Sequence, residues 1–139
     1  SIALGVKIIS HLVASAGIAT LARSTGKKNI HGDSTVGLDE EADQVLVELL
    51  GSCGHFGLLV SEERDAVVAT EDKGGKYVVA FDPLDGSSNI GSNIPTGTIF
   101  AIFRRGVGGS SDPSGDFLQP GTSLAAAGYA VYGAKTTFV

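Results

Sequence analysis

Apolar residues recur at helical spacing in two segments near the beginning of the sequence. In the first, the spacing of three and four residues predicts an amphipathic helix over residues 2–22. Its apolar positions are Ile2, Val6, Ile9 and Val13. In the second, Asp39 is predicted to be the N-terminal cap of a helix with acidic residues in its first turn. The apolar face of that helix is formed by Ala42, Val45, Leu46, Leu49 and Leu50.

Short apolar runs follow these helices and are typical of strands. The polar, glycine-bearing segments 23–37 and 106–116 are predicted to be loops. Two helices followed by five or six strands predict an α+β or layered α/β fold, with helices packed on a sheet. The runs predicted as strands are 58–60, 66–70, 77–81, 98–103, 125–133 and 136–139.

Composition narrows the class of protein. The 139 residues are 42% apolar and 18% charged, which is typical of a globular protein. The net charge of −5 argues against a nucleic-acid surface, which would need clustered Lys and Arg. Lys7 and His11 interrupt the first apolar segment, so no membrane span is predicted there. The single Cys53 cannot form an intrachain disulfide, which favours a reducing compartment such as the cytoplasm.

Acidic residues lie directly after two of the predicted strands. Glu62 and Glu63 follow one apolar run, and Asp82 and Asp85 follow another within "YVVAFDPLDGSSNIG". In α/β sheets, strand ends are where sites commonly form. Carboxylates that converge there without basic partners would repel one another, and bound cations would relieve that repulsion.

The segment "DPLDG" permits two interpretations. Asp, Pro and Gly are turn-forming residues, so an ordinary surface turn would explain it. Alternatively, a turn over Pro83 and Leu84 would bring Asp82 and Asp85 to one side, with the Leu84 carbonyl between them. Two carboxylates and a carbonyl are the oxygen ligands that Mg²⁺ accepts. Spacing alone leaves both interpretations open.

The residues after Asp85 extend the second interpretation. "GSSN" offers backbone N–H groups and hydroxyls, and Gly86 would permit close approach of a ligand. A helix that began there would favour a phosphate at its N-terminus. Metal ions on a phosphoryl group, with a carboxylate that orients or deprotonates water, would form a metal-dependent phosphatase.

Motifs along nearly the whole chain resemble one family, the class I fructose-1,6-bisphosphatases, which belong to the lithium-sensitive, magnesium-dependent phosphatases. The resemblance implies the sugar phosphatase fold, with helices packed on a mixed, largely antiparallel sheet. Two departures are Gly91, where the family commonly has Asp, and Pro95. The matching segments are "TGKKNIHGDSTVGLDEEAD", "LLVSEE", "KYVVAFDPLDGSSNI", "GTIFAIFRR", "FLQPG" and "AAGYAVYG".

The resemblance also implies roles for particular residues. Asp39 and Glu63 would activate the attacking water, and Asn29 would belong to a dynamic loop with Asp33. The cradle for the 1-phosphate of the substrate would be formed by Asp85, Gly86, Ser87 and Ser88. The metal ligands would be Glu62, Asp82, the Leu84 carbonyl, Asp85, Asp33 and Glu63.

The implied reaction is Mg²⁺-dependent hydrolysis of fructose 1,6-bisphosphate to fructose 6-phosphate, with Mn²⁺ or Zn²⁺ as possible substitutes for Mg²⁺. A homotetramer that contacts a sugar bisphosphate, and neither nucleic acid nor membrane, is implied as well. Family chains are more than twice as long. We therefore expect residues 1–139 to be one partial domain, the N-terminal metal- and phosphate-binding half, without the C-terminal sugar-binding half.

Other functions stay open at this stage. Within enzymes, the alternatives are a sedoheptulose-1,7-bisphosphatase and another sugar or inositol phosphatase. Outside enzymes, a truncated assembly subunit or a small-ligand binding module would carry the same motifs without turnover. The plastid stroma is the alternative to the cytoplasm.

Overall fold

A computed structural model describes residues 1–24, 36–71, 74–106 and 114–139. The helices are α1 (Ile2–Ser24), α2 (Val36–Gly51) and α3 (Ser114–Phe117), with 3₁₀ helices at Ser87–Ser92 and Gly121–Ser123. The strands are β1 (Phe56–Ser61), β2 (Val68–Ala69), β3 (Tyr77–Asp85), β4 (Thr96–Arg104), β5 (Leu124–Tyr132) and β6 (Thr136–Phe138).

The strands form one mixed, six-stranded sheet in the order β2-β1-β3-β4-β5-β6. Strands β1 and β3 are parallel, and the four other neighbouring pairs are antiparallel. The predicted fold class is therefore confirmed. Because β1 and β3 are parallel neighbours, their carboxyl ends lie at the same edge of the sheet.

Helices α1 and α2 cover one face of the sheet and form the main core. The apolar faces of the two helices pack against alternate residues of β1, β3 and β5, as the period-2 geometry of strands requires. The most deeply buried members are Ile9, Ala42, Leu46, Leu50, Leu59 and Val79.

The opposite face of the sheet is covered only in part by the described residues. A small cluster of Leu58, Val78 and Phe103 lies beneath Phe117 of α3. Farther along the same face, Ile99 and the residues around it are exposed despite being apolar, with Ile99 itself 48% exposed. No helix in the described ranges is both long and apolar enough to cross a membrane.

Two sequence predictions about element boundaries are wrong. Helix α2 begins at Val36, so Asp39 lies inside its first turn and is not the cap. Leu38 is buried in the main core, and its packing extends the helix toward the N-terminus. The predicted loop 106–116 ends in α3, which begins at Ser114. Most of the predicted loop 23–37 lies outside the described residues.

A buried glycine between β2 and β3 allows two backbone segments to touch. A Cβ on Gly75 would lie 2.3 Å from the Gly57 nitrogen and from the Phe56 carbonyl carbon. We expect Gly75→Ala to lower the free energy of unfolding by about 3 kcal/mol, because backbone atoms cannot rotate away as a side chain can. Urea denaturation measures this change.

The matched control is Gly91→Ala on the exposed 3₁₀ helix. A Cβ on Gly91 would meet no atom within 4 Å, so the free energy of unfolding should change by less than about 0.5 kcal/mol. Equal urea midpoints for the two variants would contradict the close approach at Gly75.

Candidate active site

Strands β1 and β3 bring two acidic segments to one edge of the sheet. Ser61, the last residue of β1, is paired with Phe81 in β3. The backbone N–H of Glu62 donates to the Phe81 carbonyl at 3.0 Å, which places the turn at Glu62 and Glu63 beside Asp82. Residues separated by about twenty positions in sequence therefore meet because of the parallel pairing.

A β-bulge sets the direction of the two aspartates in β3. Asp82 is paired with Ile99 and Asp85 with Gly97, so three steps along β3 match two steps along β4. In a regular strand, residues three apart would point to opposite faces; the extra residue places both aspartates on the face of Ile99. The expected turn over Pro83 is thus a bulge within the strand, and it brings the aspartates to one side as predicted.

Buried hydrogen bonds hold the bulge in place. Thr98 Oγ1 donates to the Pro83 carbonyl at 2.8 Å, and the Tyr132 hydroxyl lies 2.6 Å from Thr98 Oγ1. Because Thr98 has a single proton and donates it to Pro83, Tyr132 donates to Thr98. The Leu84 N–H donates to Asp82 Oδ1 at 3.0 Å. The aspartates are therefore fixed by β4 and β5 as well as by β3.

The segment that follows Asp85, which the sequence predicts as a phosphate cradle, begins with a residue in the left-handed conformation. Gly86 has φ of 77°, a conformation that favours glycine, and the Asn89 N–H donates to its carbonyl at 2.9 Å. A 3₁₀ helix then runs over Ser87–Ser92. The Ser87 side chain lies near Asp39 of α2, and its interaction with that carboxylate opposes the rise in the pKa of Asp39.

The acidic side chains of α2, the Glu62–Glu63 turn and β3 repel one another electrostatically. Burial is the main cause that raises the pKa of Asp39, Glu63 and Asp82 above their ordinary values. Repulsion from the neighbouring carboxylates raises each of the three further, with Glu62 contributing to all of them. These carboxylates are therefore held close together at a cost in charge repulsion.

The donor set at this edge has the chemistry of a site for a hard cation. Carboxylate and carbonyl oxygens are available, without Cys or His among the candidates. Asp39 Oδ1 is buried and has no hydrogen-bond partner among the described atoms. However, no three His, Cys, Asp or Glu side chains in the described ranges are arranged to hold a metal ion. Asp33 and Asn29 lie outside those ranges.

Two cavities adjoin the aspartates. A groove of about 740 Å³ runs over the exposed sheet face and has Glu62 and Asp82 at its acidic end. A second cavity, of about 370 Å³, is lined by Asp85, Gly86, Asn89 and Thr96 among others. The bulge thus directs one aspartate toward each cavity.

The structure adds residues that the sequence did not single out. Thr96 lines the smaller cavity, and its buried Oγ1 has no hydrogen-bond partner among the described atoms. Asn89 lies there too, and its place in "SSN" beside the serines was a usable signal. Thr98 and Tyr132 support the bulge through pairing that spans three strands, and no local motif predicts such a contact.

Comparisons with known proteins identify the family to which the chain is similar. The model of the family "Fructose-1-6-bisphosphatase, N-terminal domain" matches residues 1–139. Fructose-1,6-bisphosphatase class 1 of Sulfurihydrogenibium sp. (strain YO3AOP1) is 48% identical over 96% of this chain and 40% of its own length. Fructose-1,6-bisphosphatase 1 of Mus musculus is 45% identical over the whole of this chain and 41% of its own length.

Solved structures show the same fold. The apo crystal structure of Leishmania major fructose-1,6-bisphosphatase matches 99% of this chain and 41% of that one, with a TM-score of 0.78 and 30% identity. Its holo form gives a TM-score of 0.74 at 32% identity. The chain spans about 40% of the length of these relatives. It belongs to the fructose-1,6-bisphosphatase N-terminal domain family.

Proposed function

We propose that this chain forms the metal- and phosphate-binding part of a fructose-1,6-bisphosphatase. The intact protein would hydrolyse the 1-phosphate of fructose 1,6-bisphosphate to give fructose 6-phosphate and phosphate. The observation that carries the proposal is the bulge in β3, which places Asp82 and Asp85 on one face beside Glu62. Family membership supports the choice of substrate.

The cations would be held by oxygen atoms at the sheet edge. We assign Mg²⁺ to the carboxylates of Glu62, Asp82 and Asp85 and to the Leu84 carbonyl, with Mn²⁺ or Zn²⁺ as substitutes. Because the described carboxylates, Glu63 included, do not form a complete ligand set, Asp33 is proposed to complete the set together with Glu63. When bound, the cations would neutralise phosphate charge and make water more acidic.

Asp39 and Glu63 are proposed to orient the attacking water and accept its proton. Desolvation and neighbouring carboxylates raise the pKa of both, which makes each a better base than an acid of ordinary pKa. The water oxygen would form a bond to phosphorus as the bond to the sugar oxygen breaks on the opposite side, and the released sugar oxygen would take up a proton from solvent water. No phosphorylated enzyme is needed.

The segment from Asp85 to Ser88 is proposed to receive the 1-phosphate. Gly86 adopts a left-handed conformation, and the backbone beyond it turns into a 3₁₀ helix with Ser87 and Ser88 at its start. A backbone N–H and two hydroxyls there are donors suited to phosphate oxygens. The sugar and the second phosphate would be bound by residues outside this domain.

Phosphate release tests the proposal directly. With Mg²⁺, we expect the intact protein to hydrolyse fructose 1,6-bisphosphate at least about tenfold more efficiently than sedoheptulose 1,7-bisphosphate. A sugar site that fits the six-carbon substrate would bind the larger seven-carbon substrate less well in the transition state. Chelation of the metal should abolish release. Faster turnover of the seven-carbon substrate would assign the other bisphosphatase, and no turnover of either would support an assembly subunit or binding module.

The location and assembly of the protein are proposed from its family. We place the protein in the cytoplasm, or alternatively in the plastid stroma, and expect a homotetramer without nucleic-acid or membrane partners. Sedimentation of the intact protein measures the assembly. A monomer at micromolar concentration would contradict the tetramer.

A further inference from the structure

A partly buried ion pair lies one helical turn from Asp39. Arg64 Nε donates to Asp43 Oδ2 at 2.6 Å, and the Asp43 side chain is only 5% exposed. The other end of the guanidinium donates from Nη2 to Gln44 Oε1 at 3.2 Å. The pair joins helix α2 to the segment that follows β1.

The location of the pair relates it to two residues of the proposed site. Asp43 follows Asp39 by four residues on α2, so both lie on the same side of the helix. Arg64 follows Glu63 directly. The start of the acidic turn is held to β3 by the Glu62 N–H, and its end is held to α2 through Arg64.

Other contacts in the turn are weaker. The Arg64 N–H reaches the Ser61 carbonyl at 3.3 Å, and the Glu63 N–H reaches Ser61 Oγ at 3.3 Å. Both bonds are local to the turn and leave its position relative to α2 undetermined. The contact between Arg64 and Asp43 is therefore the short, charged bond that spans the two elements.

The pair is poorly suited to a purely stabilising role. Asp43 Oδ1 is buried without a hydrogen-bond partner among the described atoms, so the desolvation of this carboxylate is only partly offset. A second partly buried pair, Arg105 with Asp116, differs in this respect. There one carboxylate oxygen accepts from Arg105 Nε at 3.0 Å and the other from the Gly106 N–H at 3.1 Å.

We propose that Arg64 and Asp43 are positioning residues that hold the Glu62–Glu63 turn against α2 and so set the separation between Glu63 and Asp39. This inference rests on the proposed function, in which Asp39 and Glu63 act on the same water. A displacement of about 1 Å between catalytic groups can reduce turnover up to about a hundredfold.

Kinetics of the intact protein test the proposal with a matched control. Arg64→Met should lower kcat about thirtyfold and leave KM within about threefold, because the turn moves while substrate contacts stay. Arg64→Lys, which keeps the charge, should recover part of the loss. Arg105→Met removes the ion pair at the opposite end of the sheet, so its kcat should stay within about twofold despite a lower Tm.

Hydrogen exchange gives a readout that does not require activity. The amides of residues 62–64 should exchange about tenfold faster in Arg64→Met than in the parent. In Arg105→Met, the exchange rates of the same amides should equal those of the parent. Unchanged exchange in Arg64→Met would overturn the inference whatever the kinetics. Faster exchange with unaltered kcat would contradict the claim that the pair sets the separation between Glu63 and Asp39 for catalysis.

Failure of a variant to fold and absence of activity in the parent protein can each be told apart from failure of the inference. If Arg64→Met does not fold, Asp43→Asn weakens the same contact from the other side, because an amide can still accept from Arg64 but carries no charge; exchange at residues 62–64 should again be faster than in the parent, by a smaller factor, and unchanged exchange would overturn the inference. If the parent protein releases no phosphate, the proposed function fails, and exchange at residues 62–64 alone decides whether the pair holds the turn.

Discussion

Asp82→Asn is expected to lower kcat/KM for fructose 1,6-bisphosphate by at least about a thousandfold, because the loss of one proposed anionic metal ligand would remove several kcal/mol of transition-state stabilisation. Asp85→Asn should have a similar effect, since the bulge places its carboxylate on the same face. Steady-state phosphate release with saturating Mg²⁺ measures both. Excess Mg²⁺ should not restore either variant.

The control for these variants is Asp65→Asn. Asp65 is exposed and lies just beyond the acidic turn, so its loss of charge is local but outside the proposed ligand set. Its kcat/KM should remain within about twofold of the parent. Equal losses for Asp65→Asn and Asp82→Asn would indicate that net charge, rather than ligation, governs activity.

The same Asp82→Asn substitution should raise the Tm of the metal-free protein at pH 7. Burial, and then neighbouring carboxylates, raise the pKa of Asp82, so the folded state holds its proton more tightly than the unfolded state does. Stability from this group is present below the ordinary Asp pKa and is lost as pH rises through the raised value. Asparagine carries no charge at any pH and avoids that loss.

The second large effect is expected for Glu63→Gln. An amide cannot accept the proton of the attacking water, so kcat should fall by about 10²- to 10⁴-fold, while KM stays within about threefold. Single-turnover kinetics with Mg²⁺ separate this loss from slow product release. If Glu63→Gln retained more than a tenth of the parent kcat, Glu63 would not be the base, and Asp39 would be assigned that role.

Glu71→Gln is the matched control for Glu63→Gln. Glu71 is an exposed acid beyond β2, away from the sheet edge at which β1 and β3 end. Its kcat should be unchanged within about twofold. A loss at Glu71 comparable with that at Glu63 would show that the assay reports folding rather than proton transfer.

The sequence predicted the elements because their patterns are local. Helix α1 follows from apolar spacing, and the strand cores follow from runs such as "YVVAF". The beginning of α2 was misplaced because a cap residue at Asp39 competes with the burial of Leu38, and tertiary packing decided the outcome. Local preference cannot weigh a contact with a distant core.

The site was predictable in composition and less so in geometry. The strand-end acids were visible as residues, and the family motifs added their roles, which stay predictions. The bulge depends on register between β3 and β4, which no single segment encodes. Arg64 and Asp43 are 21 residues apart, and neither stood out in the sequence because only the packing of α2 against the sheet brings them together.

Because of the bulge in β3, four consecutive positions should tolerate substitution poorly, for two different reasons. While the aspartates point toward the cavities, Pro83 and Leu84 point into the protein, and Leu84 is only 3% exposed. A saturation screen would therefore score positions 82 to 85 as uniformly intolerant, two for chemistry and two for packing. The intolerance of this segment would then follow from its shape as much as from its proposed chemistry.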